Sequence, residues 1–532
     1  MGHTRLSAVV TLAVACSLLY VLSLLLHASK LCSGKCVIDE DCSNFSASFT
    51  DSSDMAVDLY QGILLSPTTK PLKQGAFVSR HTRKQLNNHQ AGVSSIKAKK
   101  NHLLPITTPF LNPRKTNLSR IVFGIAASAN LWKIRREYVR SWWHPRKKMR
   151  GFVWLDEPVK NMSWGSDVPP FMISESTKAF EYSNRIGSRS AIRLSRIVIE
   201  SIRLRLQDVD WFVMGDDDTV FFTENLVRVL SNYDPTKMYY IGSQSESHPQ
   251  NTDFSYNMAY GGGGFAISYP LALALSKFQD SCLHRYPQLF GSDDRMHACI
   301  TELGVPILKN PGFHQFDVYG DAFGLLAVHP LVPLLSIHHL DIIKPIFHNM
   351  TRVQAVRHLL KAASVDQAAM LQQTICYGQR QRWSFSISLG YAVQVYQGFI
   401  SPWELQRVPR TFLSWHGNKA RSHFPFNIQE ISVDSCKQPT IFYMSSVHQL
   451  QHKTTARGGG SIETVYKKED QPERNMTGCD TVLSSVQVIR IRKKPTLETL
   501  SQRLCCKVQH WRSRSIDIDV QPCGDGELAI DS

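Results

Sequence analysis

The chain has no pair of CxxC motifs and no Cys/His ladder at zinc-ligand spacing, so its twelve cysteines do not read as a structural zinc site. It also lacks a P-loop, because Gly261 to Gly264 are followed by neither the lysine nor the hydroxyl residue that such a phosphate cradle needs. The spaced acids, central glycine and closing glutamate of a helix-loop-helix calcium site are missing, and no long internal repeat is present. Acidic residues are in short supply: 44 Asp and Glu face 60 Lys and Arg, a formal charge of +16. That imbalance attracts nucleotide diphosphates, anionic polysaccharides and membrane head groups without choosing among them. No nucleic-acid-binding motif accompanies it, which argues against that partner. With 532 residues, 43% of them hydrophobic and 20% charged, the chain can bury a sizeable core and exceeds one compact domain.

What is present begins with Leu6 to Leu26, an uncharged run long enough to span a hydrocarbon layer of roughly 30 Å. No small-x-small cleavage site is clear near Ala28, so the expectation is an uncleaved anchor at 6–28 behind a five-residue tail. Arg5 before the run and Lys30 and Lys35 after it leave the orientation open. Sequons at Asn44, Asn117, Asn161, Asn349 and Asn475 suit a long lumenal portion, where disulfides among the cysteines could form. Residues 29–113 are polar, rich in Ser, Thr, Lys and Asn, and read as a stem.

From residue 114 strand and helix patterns alternate, which predicts an open α/β sheet. Strands are expected at Arg120–Ala126, Gly151–Leu155, Asp210–Asp216, Met238–Gly242 and Phe265–Ser268. Helices are expected near Leu131–Trp143, Ser190–Leu206, Asn225–Tyr233, Pro270–Ser281, after Asp293, and at Arg352–Ala363. Ser384–Val395 alternates like a single strand. Beyond Ile431, short apolar runs and five cysteines read as a small β-rich extension, 431–532, after a domain at 114–430. Trp403, Trp415 and His416 lie in a basic aromatic stretch that reads as core or as a sugar-stacking surface.

The strongest chemical signal is Asp216-Asp217-Asp218 at the end of an apolar strand, the edge where an α/β sheet places its ligands. Three carboxylates in one tight loop need water, donors or a divalent cation to screen their repulsion. A hard cation completed by substrate phosphates answers that need, which points to a metal-chelated phosphate donor.

Four ordered segments resemble the fringe-like inverting glycosyltransferases, especially their plant branch. They are Trp211 to Phe222, Tyr260-Gly-Gly-Gly-Gly-Phe-Ala-Ile-Ser268, Ser292-Asp-Asp-Arg-Met-His-Ala-Cys-Ile-Thr-Glu302 and Ser336-Ile-His-His-Leu-Asp341. The resemblance covers roughly 121–341 well and continues less distinctly to about 426. It implies a type II Golgi membrane enzyme with a single nucleotide-sugar-binding GT-A-like domain. It implies a UDP-sugar donor, manganese or magnesium, a carbohydrate acceptor on glycoprotein or polysaccharide, inversion, and a β-1,3 linkage. A complex with other transferases is compatible with it.

On this resemblance Asp218 contacts the metal, Asp216 and Asp217 bind the metal, its water or the ribose, and Asp156 contacts the nucleotide. His338 is the second metal candidate, with His339 as its rival; on a strand the two would face opposite sides. Gly262 and Gly263 allow close approach of the backbone to the donor. Asp294 is the expected base with Asp293 as its neighbour, against a reading in which both merely cap a helix. A catalytically silent scaffold and a metal-dependent phosphoester hydrolase are the rival functions. The absence of a second dense acid/His cluster speaks against the hydrolase.

Overall fold

The computed structural model describes residues 116–531 except 161, 381, 418–420, 451–459, 470–480, 496–502 and 513. The expected anchor and stem lie outside the described residues. Among the described residues no helix is long and apolar enough to cross a membrane.

The sheet that carries the acidic loop is built from β1 (Ile121–Ala126), β2 (Arg150–Leu155), β3 (Phe171–Ile173) and β4 (Trp211–Asp216), all parallel. Beyond a short β5 (Val220–Phe221), it is completed by β6 (Tyr240–Gly242), β7 (Phe265–Ser268) and β8 (Ile307–Lys309). The order is β3-β2-β1-β4-β7-β6-β8, with β7 antiparallel to both neighbours. Alternation along β1 sends Ile121, Phe123 and Ile125 into one hydrophobic layer and Val122 into the other. Both faces are therefore covered, which is why its central strands are continuous apolar runs rather than half-polar ones.

Helix α1 (Ala129–Trp142) buries Trp132, Tyr138, Val139 and Trp142. The long helix expected at Ser190–Leu206 is two pieces, α2 (Ser190–Ser195) and α3 (Ile197–Arg203), broken at Arg196. Arg196 is nearly fully buried and reaches Glu200, Asp280 and Glu175. Pro270–Ser281 likewise resolves into Tyr269–Leu275 and Gln279–Arg285. Helix α4 (Ser292–Glu302) opens with Ser292 and the acidic pair, and the Cys282–Cys299 disulfide fixes it to the preceding helix.

A second layer of small strands follows: β9 (Phe313–His314), β10 (Val318–Gly320) and β11 (Ser336–Ile337), then α5 (Arg352–Asp366). The segment expected as one strand at Ser384–Val395 is a hairpin, because Gly390 takes φ 76° and turns the chain. Its arms are β13 (Trp383–Ser388) and β14 (Ala392–Gln397), preceded by β12 (Gln373–Gly378). Short β15 (Val408–Pro409), β16 (Phe412–Ser414) and β17 (Ile428–Gln429) lead to β18 (Thr440–Leu450), β19 (Ser461–Lys468), β20 (Val488–Lys493), β21 (Leu504–Arg512) and β22 (Ser515–Pro522).

The eight-stranded sheet runs β12-β13-β14-β18-β19-β20-β22-β21, so it draws strands from both sides of the 430/431 division read from the sequence. Its edge strands meet: Thr374 Oγ1 donates to Leu504 O at 2.8 Å, and Cys376 is bonded to Cys506. The two end strands are thus held together by a side-chain hydrogen bond and a disulfide. A third disulfide joins Cys505 to Cys523. One continuous hydrophobic cluster runs from Ile121 through Phe347 and Tyr391 to Val520, so this sheet and the acidic-loop sheet share their core. The Cys376–Cys506 bond spans 130 residues of sequence. Changing both to Ser should cost about 2–5 kcal/mol of stability by loosening the unfolded-state constraint. A thermal melt of the double variant overlaying the native curve would refute this.

Candidate active site

The acidic loop is a turn closed by Thr219, whose amide donates to Asp216 O at 3.0 Å and whose Oγ1 accepts from the Asp216 amide at 2.8 Å. Immediately after it, β5 pairs antiparallel with β11, which pairs parallel with β9. This small sheet is the device that carries His338, one residue beyond β11, back to the acids 120 residues earlier. His338 Nε2 lies 3.3 Å from Asp218 Oδ1 and 3.6 Å from Asp216 Oδ2. One ligand atom each from Asp216, Asp218 and His338 falls within 4.8 Å of the others, the only such group of three among the described residues. Asp218 is wholly buried, and neither its Oδ2 nor His338 Nδ1 has a hydrogen-bond partner. Two carboxylates and an imidazole with unused buried acceptor capacity suit a borderline-hard divalent cation such as manganese.

Charge distribution agrees with that reading. Burial works to lower the His338 pKa, yet Asp218 and Asp216 outweigh it and bring it to about 9. Burial alone would raise Asp218, but His338 and Arg135 hold it well below the usual carboxylate range. Asp217 behaves differently: burial raises it to about 8 despite Arg135. Its Oδ1 meets Arg135 at 3.2 Å, and the same guanidinium reaches Asp218 at 3.4 Å and Asp341 at 2.7 Å. Asp217 therefore buttresses the site from behind, and the cluster gathers Asp216, Asp218 and His338 as expected.

Arg135 and Asp341 were given no role in the sequence reading. Arg135 stands three residues after Trp132 and four before Val139, both buried on α1. A charge on that inward stripe was the available signal.

The expected opposite orientation of His338 and His339 fails, because neither is on a strand. His339 takes φ 59°, which places its ring 3.8 Å from the His338 ring, centroid to centroid. Only His338 reaches the acids; His339 Nδ1 lies 3.3 Å from both Phe316 O and Asp317 Oδ1.

The glycine run packs on this centre. A Cβ on Gly262 would lie 2.1 Å from His338 Cε1. Thr219 Oγ1 donates to Gly262 O at 2.7 Å, and the Gly263 amide donates to Gln315 Oε1. Gly262→Ala is therefore expected to push His338 away and cut turnover about 10- to 100-fold, with an unchanged melting midpoint as the control. Native-like turnover in that variant would show that the imidazole has no such slot.

The two acids of α4 separate cleanly. Asp294 is committed to the helix start, accepting from the amides of Phe290 (2.8 Å), Gly291 (3.0 Å) and Arg295 (2.8 Å). That is the capping role weighed against catalysis above, and it leaves Asp294 little to offer a substrate. Asp293 faces the glycine run instead: a Cβ on Gly261 would lie 2.5 Å from its Oδ1, which also accepts from Ser292 Oγ at 3.0 Å. Burial, reinforced by Asp216, raises the Asp293 carboxyl to about 7. Asp156 sits exposed at the end of β2 and accepts from the Ala129 amide at 2.8 Å, capping α1 where Ser128 does not.

A cavity of about 540 Å³ lined by Arg120, Arg203, Arg205, Leu206 and Tyr269 lies at the other end of β1 and β4, away from these acids.

Residues 116–320 match the family model described as Fringe-like, and residues 250–506 match the one described as a protein of unknown function, DUF604. The lunatic fringe beta-1,3-N-acetylglucosaminyltransferase of Xenopus laevis is 25% identical over 209 residues, 37% of this chain and 53% of that protein. The beta-1,3-glucosyltransferase of Mus musculus is 30% identical over 107 residues, 20% of this chain and 21% of that protein. A solved structure of the galactosyltransferase LgtC with donor and acceptor sugar analogues aligns with 44% of this chain and 94% of its own, at 14% identity and a TM-score of 0.29. The chain spans about half the length of the fringe proteins it matches.

Proposed function

We propose, from this chain's similarity to the fringe-like family over residues 116–320, that it transfers a sugar from a UDP-sugar to a hydroxyl of a carbohydrate acceptor, forming a β-1,3 linkage with inversion. The observation that carries the reading is the meeting of Asp216, Asp218 and His338 at the carboxyl end of β4. Asp216, Asp218 and His338 would hold a divalent cation, manganese or magnesium, which when bound supplies positive charge against the departing diphosphate.

The rest of the chemistry belongs to the chain. Arg135 keeps Asp218 ionised and aimed, while contacts to Asp217 and Asp341 hold its guanidinium in place. Asp293 takes the proton of the acceptor hydroxyl as that oxygen bonds to the anomeric carbon and the carbon–phosphate-oxygen bond breaks. A single displacement inverts the anomeric centre. A carboxyl with a pKa near 7 is matched to removing a proton near neutral pH. Asp156, at the same sheet end, serves the nucleotide, while Gly262 and Gly263 leave the room that His338 and the His314–Gln315 backbone take up instead of the donor.

The same reading places a GT-A-like domain in an oxidising lumen, consistent with the disulfides, held to the Golgi membrane by residues 6–28 and acting on glycoprotein or polysaccharide, alone or with other transferases. The test incubates the full chain with a panel of nucleotide sugars and oligosaccharide acceptors, with and without manganese. One donor should be turned over only with both cation and acceptor. Donor consumption at the same rate without acceptor would favour hydrolysis, and failure to bind any donor would favour the silent scaffold.

A further inference from the structure

His338 faces Asp218 Oδ1 with Nε2 at 3.3 Å, but its other ring nitrogen, Nδ1, has no hydrogen-bond partner. A metal-ligating imidazole normally donates its second nitrogen to a carboxylate or carbonyl, which fixes the ring. Here the ring is held by faces. On one side stands Gly262, with no room for even a methyl group. The His339 ring also packs against the His338 ring, with centroids 3.8 Å apart and planes 31° apart. His339 in turn stacks on Trp415 with centroids 4.8 Å apart and planes 9° apart, and Trp415 stacks on Tyr319 at 4.8 Å and 1°. The outer pair is set by backbone pairing, because β10 and β16 are antiparallel with Tyr319 opposite Leu413, two residues before Trp415.

We infer that Trp415 is a positioning residue for the metal centre: through His339 it clamps the His338 imidazole in the slot against Gly262. The inference rests on the reading of Asp216, Asp218 and His338 as the cation site. Trp415 lies outside the fringe-like match at 116–320 and inside the second match at 250–506. The second segment thus contributes to the chemistry of the first. The column also accounts for the left-handed backbone at His339, a conformation that a non-glycine residue adopts only at a cost. That turn is what brings the two imidazoles into contact.

The test measures manganese binding to the full chain, without donor, by the loss of the free-ion electron paramagnetic resonance signal. Trp415→Leu stays apolar but removes the flat face, and should weaken manganese binding about 10-fold or more, within the range seen when groups behind a metal ligand are removed. Trp415→Phe restores a stacking face and should bind within about threefold of native. If Trp415→Leu shows no cooperative thermal transition, Tyr319→Leu and Tyr319→Phe make the same comparison at the outer end of the column. Equal manganese affinity in native and leucine variants would overturn the inference alone. Equal weakening in the leucine and phenylalanine variants would also overturn it, since loss of packing would then suffice. No manganese binding by the native chain would overturn both the cation site and this inference.

Discussion

Asparagine at position 218 should abolish cation-dependent transfer, lowering kcat/KM by at least about 10³-fold, the loss of several kcal/mol at 1.36 kcal/mol per decade. Asp218 is wholly buried and its Oδ1 serves both His338 and Arg135. The neutral amide removes the charge that both cations face and that a divalent ion would need. His338 then loses its main source of upward pKa shift, so its neutral form becomes more populated near pH 7. Removing the carboxylate thus damages the site twice, by deleting a ligand and by leaving the Arg135 charge under-compensated. Manganese titration by electron paramagnetic resonance, run beside steady-state transfer assays, checks both arms. Turnover within tenfold of native and an unchanged manganese dissociation constant would remove Asp218 from the centre.

The second large effect is expected at Asp293. Asp293→Asn should lower kcat by about 10²- to 10⁴-fold while leaving donor and cation binding in place, the signature of a lost general base. A base works ionised, and burial has moved this carboxyl up to about 7. Native kcat/KM should therefore fall about tenfold per pH unit below about 7 and level off above it. Ligation of a cation at Asp216 would shift that limb toward lower pH, by cancelling the neighbouring negative charge that helps raise Asp293. Asp294→Asn should act on the helix start instead, costing about 1 kcal/mol of stability with kcat within a few-fold of native. If Asp294→Asn stops transfer and Asp293→Asn does not, the two roles must be exchanged.

Much of this site was legible in the sequence because its ligands come in short runs at element ends. Asp216 to Asp218 close an apolar strand, and His338 lies in a compact hydroxyl-histidine segment. Less legible was anything set by how segments meet. Neighbouring acids at 293 and 294 look equivalent in sequence, yet one helical step of about 100° sends one to backbone amides and the other to the glycine run. The relation of His338 to His339 inverted because a left-handed residue cannot be read from a histidine letter. Arg135 was hidden because its three acidic partners lie at 217, 218 and 341, and nothing local announces them.

The fold shows the same division. Period-two and period-3.6 patterns located β1, β2, β4 and α5 closely. The break at Arg196 was missed because its cause is a buried ion cluster with Glu175 and Asp280 from other segments. The hairpin at Gly390 carried a local signal, a glycine inside an alternating run, that was read as continuation.

Closing the eight-stranded sheet has a consequence for biosynthesis. Residue 376 must wait for residue 506 before their bond can form, and β12 gains its contacts with β21 only when β21 arrives. At roughly 5–20 residues per second, the ribosome leaves that interval open for several seconds to about half a minute. During it, an unpaired edge strand and the apolar face beneath it stand exposed to other nascent chains. The half-made protein is thus a client for chaperones and disulfide isomerases throughout that window. A premature stop between His338 and β21 would release a polypeptide containing every proposed cation ligand and the proposed base, yet lacking a strand of its shared core.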